Sequence, residues 1–101
     1  MSVPEALMLS EKDNVATSLA NVEPDTGIRI RLGKEAREIK TLEKIPFGFK
    51  IAAGDIAKGA KIMKYGEAIG IATVDIKQGQ MVHVHNIEGA RGRGDLAKGG
   101  S

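Results

Sequence analysis

The chain has 101 residues, 42% hydrophobic and 28% charged, with 15 basic and 13 acidic side chains giving a net charge of +2. This describes one small globular domain, too evenly charged for nucleic-acid binding, which uses a concentrated basic face. Cysteine is absent, which excludes disulfides and thiolate metal sites. No apolar run approaches the roughly 20 residues of a membrane span, and no basic region followed by an apolar stretch opens the chain. The expected setting is therefore cytoplasmic, away from membranes.

Only Phe47, Phe49 and Tyr65 are aromatic, so the core must come from Ile, Val, Leu, Ala and Met. A core of that kind is modest, and part of the apolar surface calls for a partner to cover it. Residues 4–9 form a short apolar run that suits a first strand. Asp13 or Asn14 can cap a short helix carrying Val15, Ala16, Leu19 and Ala20. Residues 21–27 hold Pro24 and Gly27 and read as a turn. Ile28, Ile30 and Leu32 then alternate with Arg29, Arg31 and Gly33, the period of a half-buried strand with a basic outer face. After a Gly33-Lys34 turn, residues 36–42 read as the hairpin partner strand rather than a helix.

From Ile45 onward one pattern occurs three times: Ile, two residues, Gly, two residues, then Ile or Val. It runs from Ile45 through Gly48 to Ile51, from Ile56 through Gly59 to Ile62, and from Ile76 through Gly79 to Val82. Asp55 and Asp75 precede the last two copies. Each copy reads as an anchoring isoleucine, a glycine turn of positive φ and the start of a strand. The expected fold class is mainly β, with short strands, glycine turns and one or two short helices. Residues 1–88 are expected to form this domain and residues 89–101, rich in Gly, Arg and Lys, a flexible tail or linker.

The chemistry-bearing residues are few. On a strand, His83 and His85 project from one face while Val82, Val84 and Asn86 take the other. Alternate strand histidines can share a metal ion, with further ligands from carboxylates, water or another chain. The plainer reading, and the one the residues alone favour, is the polar face of a half-exposed strand; the pair could instead bind a substrate carboxylate or hydroxyl. Lys64 can bind an acidic group as a point charge and Tyr65 can donate a hydrogen bond. The plainer reading is a solvated lysine beside a packed tyrosine. No phosphate-cradling loop, nucleophile elbow or dinucleotide fingerprint is present in the sequence.

The combination of Lys50-Ile51-Ala52, residues 55–60, Lys64-Tyr65-Gly66, Ile69-Gly70, Ile76, Gly79 and residues 82–86 closely resembles one family. It is similar to the small N-terminal domain of altronate and galactarate dehydratases, and to the small subunit of sulfolactate sulfo-lyase. Asp13-Asn14-Val15-Ala16 fits that family's opening, and the likeness spans about residues 10–93. The resemblance implies a SAF-type β-clip and a part in removing water from a hydroxylated sugar acid. It implies a large catalytic partner, as a separate subunit or a further domain, and a divalent metal, often iron(II), in the complete enzyme. In that setting the large partner abstracts a proton next to a carboxylate and expels hydroxide. Lys50, Lys64, Tyr65, His83, His85 and Asn86 become the residues expected to meet the acidic substrate, with His83 and His85 also the metal candidates. One departure stands out: the family commonly has Gly-His-Lys where this chain has Gly48-Phe49-Lys50.

The expected role is thus the small component of a sugar-acid hydro-lyase, inactive alone. A second reading is a non-catalytic SAF module that binds carbohydrate or an assembly partner. A self-sufficient metal hydrolase is disfavoured, because so short a chain offers few ligand types and little room for a closed pocket. The identity of the acid, whether water or sulfite leaves, and self-association stay open at this level.

Overall fold

A computed structural model describes residues 3–89. Nine strands follow one another: β1 (Glu5–Met8), β2 (Val15–Ser18), β3 (Gly27–Leu32), β4 (Glu35–Lys40), β5 (Lys50–Ala52), β6 (Lys61–Lys64), β7 (Glu67–Ala72), β8 (Met81–Val82) and β9 (Ile87–Gly89). The mainly β expectation holds, while the one or two short helices are absent among the described residues. Six strands form one sheet in the order β4-β3-β1-β2-β5-β8, and β6-β7-β9 form a second. All pairings are antiparallel except β1 with β3. Residues 90–101, most of the expected tail, lie outside the described residues, and Gly89 ends β9.

The expected helix over residues 13–20 is corrected to a strand. Residues 15–18 run between β1 and β5 near the middle of the large sheet. Val15 and Thr17 are β-branched and favour an extended backbone. Val15 and Ala16 are both buried, yet in different clusters, which a central strand achieves by sending successive side chains to opposite faces. The same alternation places Ile51 and Met81 with one cluster and Ala52 and Val82 with the other. The large sheet therefore carries a core on each face. Isoleucine, valine and alanine build both, with Met8 added in one, whereas Leu9, Leu19 and Leu42 are exposed.

The repeated glycine unit governs the fold, and it occurs four times rather than three. Val22, Asp25 and Ile28 have the same spacing as the three Ile-Gly units, with aspartate at the glycine position. The central residues Asp25, Gly48, Gly59 and Gly79 all have positive φ, at 60°, 84°, 89° and 94°. Every first and third residue of the four units is buried. The units pair through the bridges Val22 with Ile45 and Ile56 with Ile76, each closed by two backbone hydrogen bonds of 2.7–2.8 Å. In each unit the central N–H donates to a strand-end carbonyl: that of Thr41, Ser18, Ala72 and Ala52 in turn. The N–H of that same strand-end residue donates back to the carbonyl just after the turn.

Side chains complete these turns across each pair. Asp75 Oδ1 accepts from Lys58 N at 2.8 Å and Asp55 Oδ1 accepts from Gln78 N at 2.9 Å, so each aspartate caps the other's turn. Asn21 Oδ1 does the same for Phe47 N at 2.8 Å. The fourth position is Pro24, which has no N–H to cap, and the residue placed to cap it is Lys44.

These turns generate a graded prediction. Gly59→Ala places a Cβ in open space and meets only the left-handed backbone cost of about 1–2 kcal/mol. Gly79→Ala adds overlap with the Lys40 carbonyl oxygen and should cost clearly more. Asp25→Gly should be neutral or stabilising, since it loses only an exposed ion pair to Lys40. Urea denaturation of the three variants checks the order; equal losses at Gly59 and Gly79 would contradict it.

Candidate functional site

The expected site residues fall into two groups on opposite sides of the large sheet. Lys50 pairs with Thr17 on β2 and with Val82 on β8. Directly paired residues share a face, so Lys50 shares the face of Thr17 and Val82. That face also meets the small sheet, whose β6–β7 hairpin ends in Lys64, Tyr65 and Gly66. Lys50 is half-buried, and burial, followed by the positive charge of Lys64, holds its pKa below the ordinary lysine value. Lys64 Nζ lies 4.9 Å from the Tyr65 ring centroid, within cation–π range. Two lysines and a tyrosine thus gather where the two sheets meet.

The hairpin tip is held by residues that the sequence had suggested as helix caps. Asp13 is buried; its Oδ1 accepts from Gly66 N at 2.8 Å, and its Oδ2 accepts from Leu9 N at 3.2 Å and Ser10 N at 3.3 Å. Burial alone would raise its pKa, but the amides of Gly66, Tyr65, Leu9 and Ser10 together outweigh it and lower the pKa. The stabilisation from this carboxylate is therefore present above the ordinary aspartate pKa and is lost as pH falls through the lowered value. Asn14 accepts from Met63 N at 2.8 Å and donates to the Lys61 carbonyl at 2.9 Å. Neither role was legible from the sequence, since the partners lie 47–53 residues away.

The histidines sit elsewhere. The strand expected over residues 81–86 stops at Val82, and residues 83–86 form a bend and turn. The side chains therefore do not alternate between faces here: Val82 is buried, but Val84 is 78% exposed. The cause is Asn86, whose Oδ1 accepts from His83 N and whose Nδ2 donates to the Met81 carbonyl, both at 2.9 Å. Asn86 turns the chain from the large sheet into β9 of the small one. Its side chain is buried in this turn rather than presented at the surface. His83 stacks on Phe49, with ring centroids 4.7 Å apart and planes tilted by 46°. Phe49 packs on the core cluster of the face opposite Lys50. His85 is exposed on the turn. The described residues gather no group of three or more His, Cys, Asp or Glu side chains able to hold a metal ion. His83 and His85 thus have no further ligating side chain grouped with them among the described residues.

A second residue escaped the sequence reading. The hydroxyl oxygen of Thr17, opposite Lys50, is buried without a hydrogen-bond partner among the described residues. Three surface concavities lie apart from the lysine pair. One of about 410 Å³ borders the edge strand β4 and is lined by Met8, Ile30, Leu32 and Ala36 with Glu35 and Arg37. None of the three is lined by Lys50, Lys64, Tyr65, His83 or His85. No helix of the described residues is long and apolar enough to cross a membrane.

A double-sheet β domain of repeated left-handed turns, carrying a paired-lysine face, is the class of protein that this geometry defines. Residues 4–90 match the family model of the altronate/galactarate dehydratase SAF domain, and the chain belongs to that family. It is 39% identical over 74 residues to altronate dehydratase of Escherichia coli (strain K12), covering 73% of this chain and 14% of that protein. It is 35% identical over 80 residues to altronate dehydratase of Bacillus subtilis (strain 168), covering 79% of this chain and 15% of that protein. It is 37% identical over 54 residues to (2R)-sulfolactate sulfo-lyase subunit alpha of Chromohalobacter salexigens, covering 54% of this chain and 57% of that protein. The chain thus spans only about a seventh of the two altronate dehydratases.

Three stability outcomes follow. Lys50→Met should raise the melting temperature of the chain by a few degrees, because it removes a desolvated charge facing Lys64. The unfolded chain holds the Lys50 proton more tightly than the folded one. The advantage of Lys50→Met should therefore shrink as pH climbs through the lowered pKa toward the ordinary lysine value. His85→Ala should change stability by less than about 0.5 kcal/mol, as surface substitutions do. His83→Ala should cost about 0.5–1.5 kcal/mol for the lost ring stack. Thermal melts across pH 7 to 10 measure all three.

Proposed function

We propose that this chain is the small component of a sugar-acid hydro-lyase of the altronate or galactarate dehydratase type. In this reading it presents Lys50, Lys64 and Tyr65 as one wall of a cleft whose other wall, with the catalytic acid–base groups, belongs to a large partner. The observation that carries the reading is the placement of Lys50 and the Lys64 hairpin tip on the face where the two sheets meet, with burial and the Lys64 charge lowering the Lys50 pKa, in a domain of this family.

Chemically, an acid that loses the proton next to its carboxylate builds negative charge on the carboxylate oxygens. Two ammonium groups facing that carboxylate stabilise the developing charge more than the starting acid, which lowers the barrier. Tyr65, with its hydroxyl free of the core, can donate to a substrate hydroxyl. His83 and His85 flank the turn on the other side, where they would meet the partner rather than the lysine-bound acid. The divalent metal implied for the whole enzyme finds no complete ligand set among the described residues, so it belongs to the partner in this reading.

The sulfolactate relative supports a separate small subunit, since it is named as a subunit and is close to this chain in size, 54 residues making up 57% of it. A non-catalytic SAF module that binds carbohydrate is the second reading, favoured by the exposed ring of Tyr65.

The test is reconstitution. The pure chain should turn over neither altronate, galactarate nor sulfolactate, and should support turnover when mixed with a large partner. In the complex, Lys50→Met or Lys64→Met should lower kcat/KM by roughly 10- to 100-fold, the range expected for a lost charge-assisted contact of about 1.5–3 kcal/mol. Robust turnover by the chain alone, or full activity of both lysine variants in the complex, would overturn the reading.

A further inference from the structure

Tyr65 has a φ of 56°, a left-handed conformation that is costly for a bulky side chain and persists only where surrounding structure enforces it. Tyr65 and Gly66, with φ of 80°, form the two-residue turn of the β6–β7 hairpin. Asparagine or glycine would satisfy the first position without strain, so the turn gains nothing locally from tyrosine. The enforcement comes from across the molecule. Asp13 grips the Gly66 amide, and Asn14 holds both the amide of Met63 and the carbonyl of Lys61 along β6. Asn14 N also donates to the Met63 carbonyl at 3.2 Å, and its own carbonyl accepts from Ala53 N at 2.9 Å beyond the end of β5. One short loop thus ties the strand that carries Lys64 to the strand that carries Lys50.

We infer that Asp13 and Asn14 are positioning residues for the paired-lysine face, fixing the Lys64–Tyr65 tip against Lys50 through the Gly66, Met63 and Lys61 backbone. The inference deepens the sugar-acid reading and rests on it for the identity of the ligand. Neither side chain contacts the ligand in this account. Asp13 is buried and fully engaged, with a second oxygen held by Leu9 and Ser10, so its effect on binding passes through the hairpin. Their consequence is geometric: the hairpin tip that carries Lys64 and Tyr65 is held to the sheet that carries Lys50, so that the two positive charges share one face.

The experiment uses the full 101-residue chain. Asp13→Ala, Asp13→Asn and Asn14→Ala are compared with the unaltered protein by NMR. Three readouts are taken: protection of the Ile45 and Ile51 amides, titration of the Lys50 side chain followed at its Cε, and affinity for altronate. In Asp13→Ala the two core amides should stay protected, while Lys50 titrates nearer to an ordinary lysine and altronate binding weakens at least tenfold. Asp13→Asn keeps an oxygen for the Gly66 amide and should lie closer to the unaltered protein. A folded Asp13→Ala with unchanged Lys50 titration and altronate affinity overturns the inference. If Asp13→Ala fails to fold, Asn14→Ala, which leaves the carboxylate in place, decides by the same readouts. If the unaltered chain alone shows no altronate binding, the Lys50 titration decides the positioning role, and the sugar-acid reading is decided separately by turnover in the reconstituted complex.

Discussion

A single backbone constraint organises this molecule: the left-handed residue at the centre of each of its four turns. That conformation turns the central N–H toward a strand end that would otherwise carry unpaired backbone groups. It also brings the first and third residues of each unit inward, so the same turn that satisfies polar backbone buries two aliphatic side chains. With few aromatics available, a core of isoleucines and valines reaches closure because eight of its side chains are delivered in register by four equivalent turns. The two face-to-face bridges then join the units in pairs, and the large sheet gains a core on either side.

What the sequence disclosed follows from how local each signal is. The β3–β4 hairpin was legible because alternation at Ile28, Ile30 and Leu32 and a Gly33 turn lie within one short stretch. The three Ile-Gly units were legible because glycine advertises positive φ. The fourth was hidden by Asp25, one of the few non-glycine residues that tolerates the same conformation. Residues 13–20 were misread because a four-residue central strand has no room to show a period. Asp13 does accept backbone N–H groups, as a helix cap would, but from Leu9, Ser10 and the distant Gly66. The histidine pair was misplaced for a related reason. Alternation of Val82, His83, Val84 and His85 suggested a strand, and the competing signal was Asn86, whose amide captures the backbone of Met81 and His83 and turns the chain.

The candidate site was legible in its parts rather than in its arrangement. Lys50, Lys64 and Tyr65 were visible as chemistry, but their assembly depends on contacts between the two sheets that no spacing rule encodes. The structure also separates what the sequence had grouped, with the lysines on one face and His83 stacked on Phe49 on the other. Phe49 makes that ring stack an aromatic contact at the edge of the core.

Pro24 and Lys44 mark the one place where the fourfold scheme is incomplete. In the other three units an amide at the turn is tethered to a carboxylate or carboxamide of the paired unit. At Pro24 the donor was removed from the chain itself, and with it the need for an acceptor at position 44. Position 44 is therefore the only one of the four cap positions released from hydrogen-bonding duty, and it holds the opposite charge to its counterparts at 55 and 75. A fold built from near-identical turns thus contains a built-in exemption, a site where size and charge can change without unseating any backbone group.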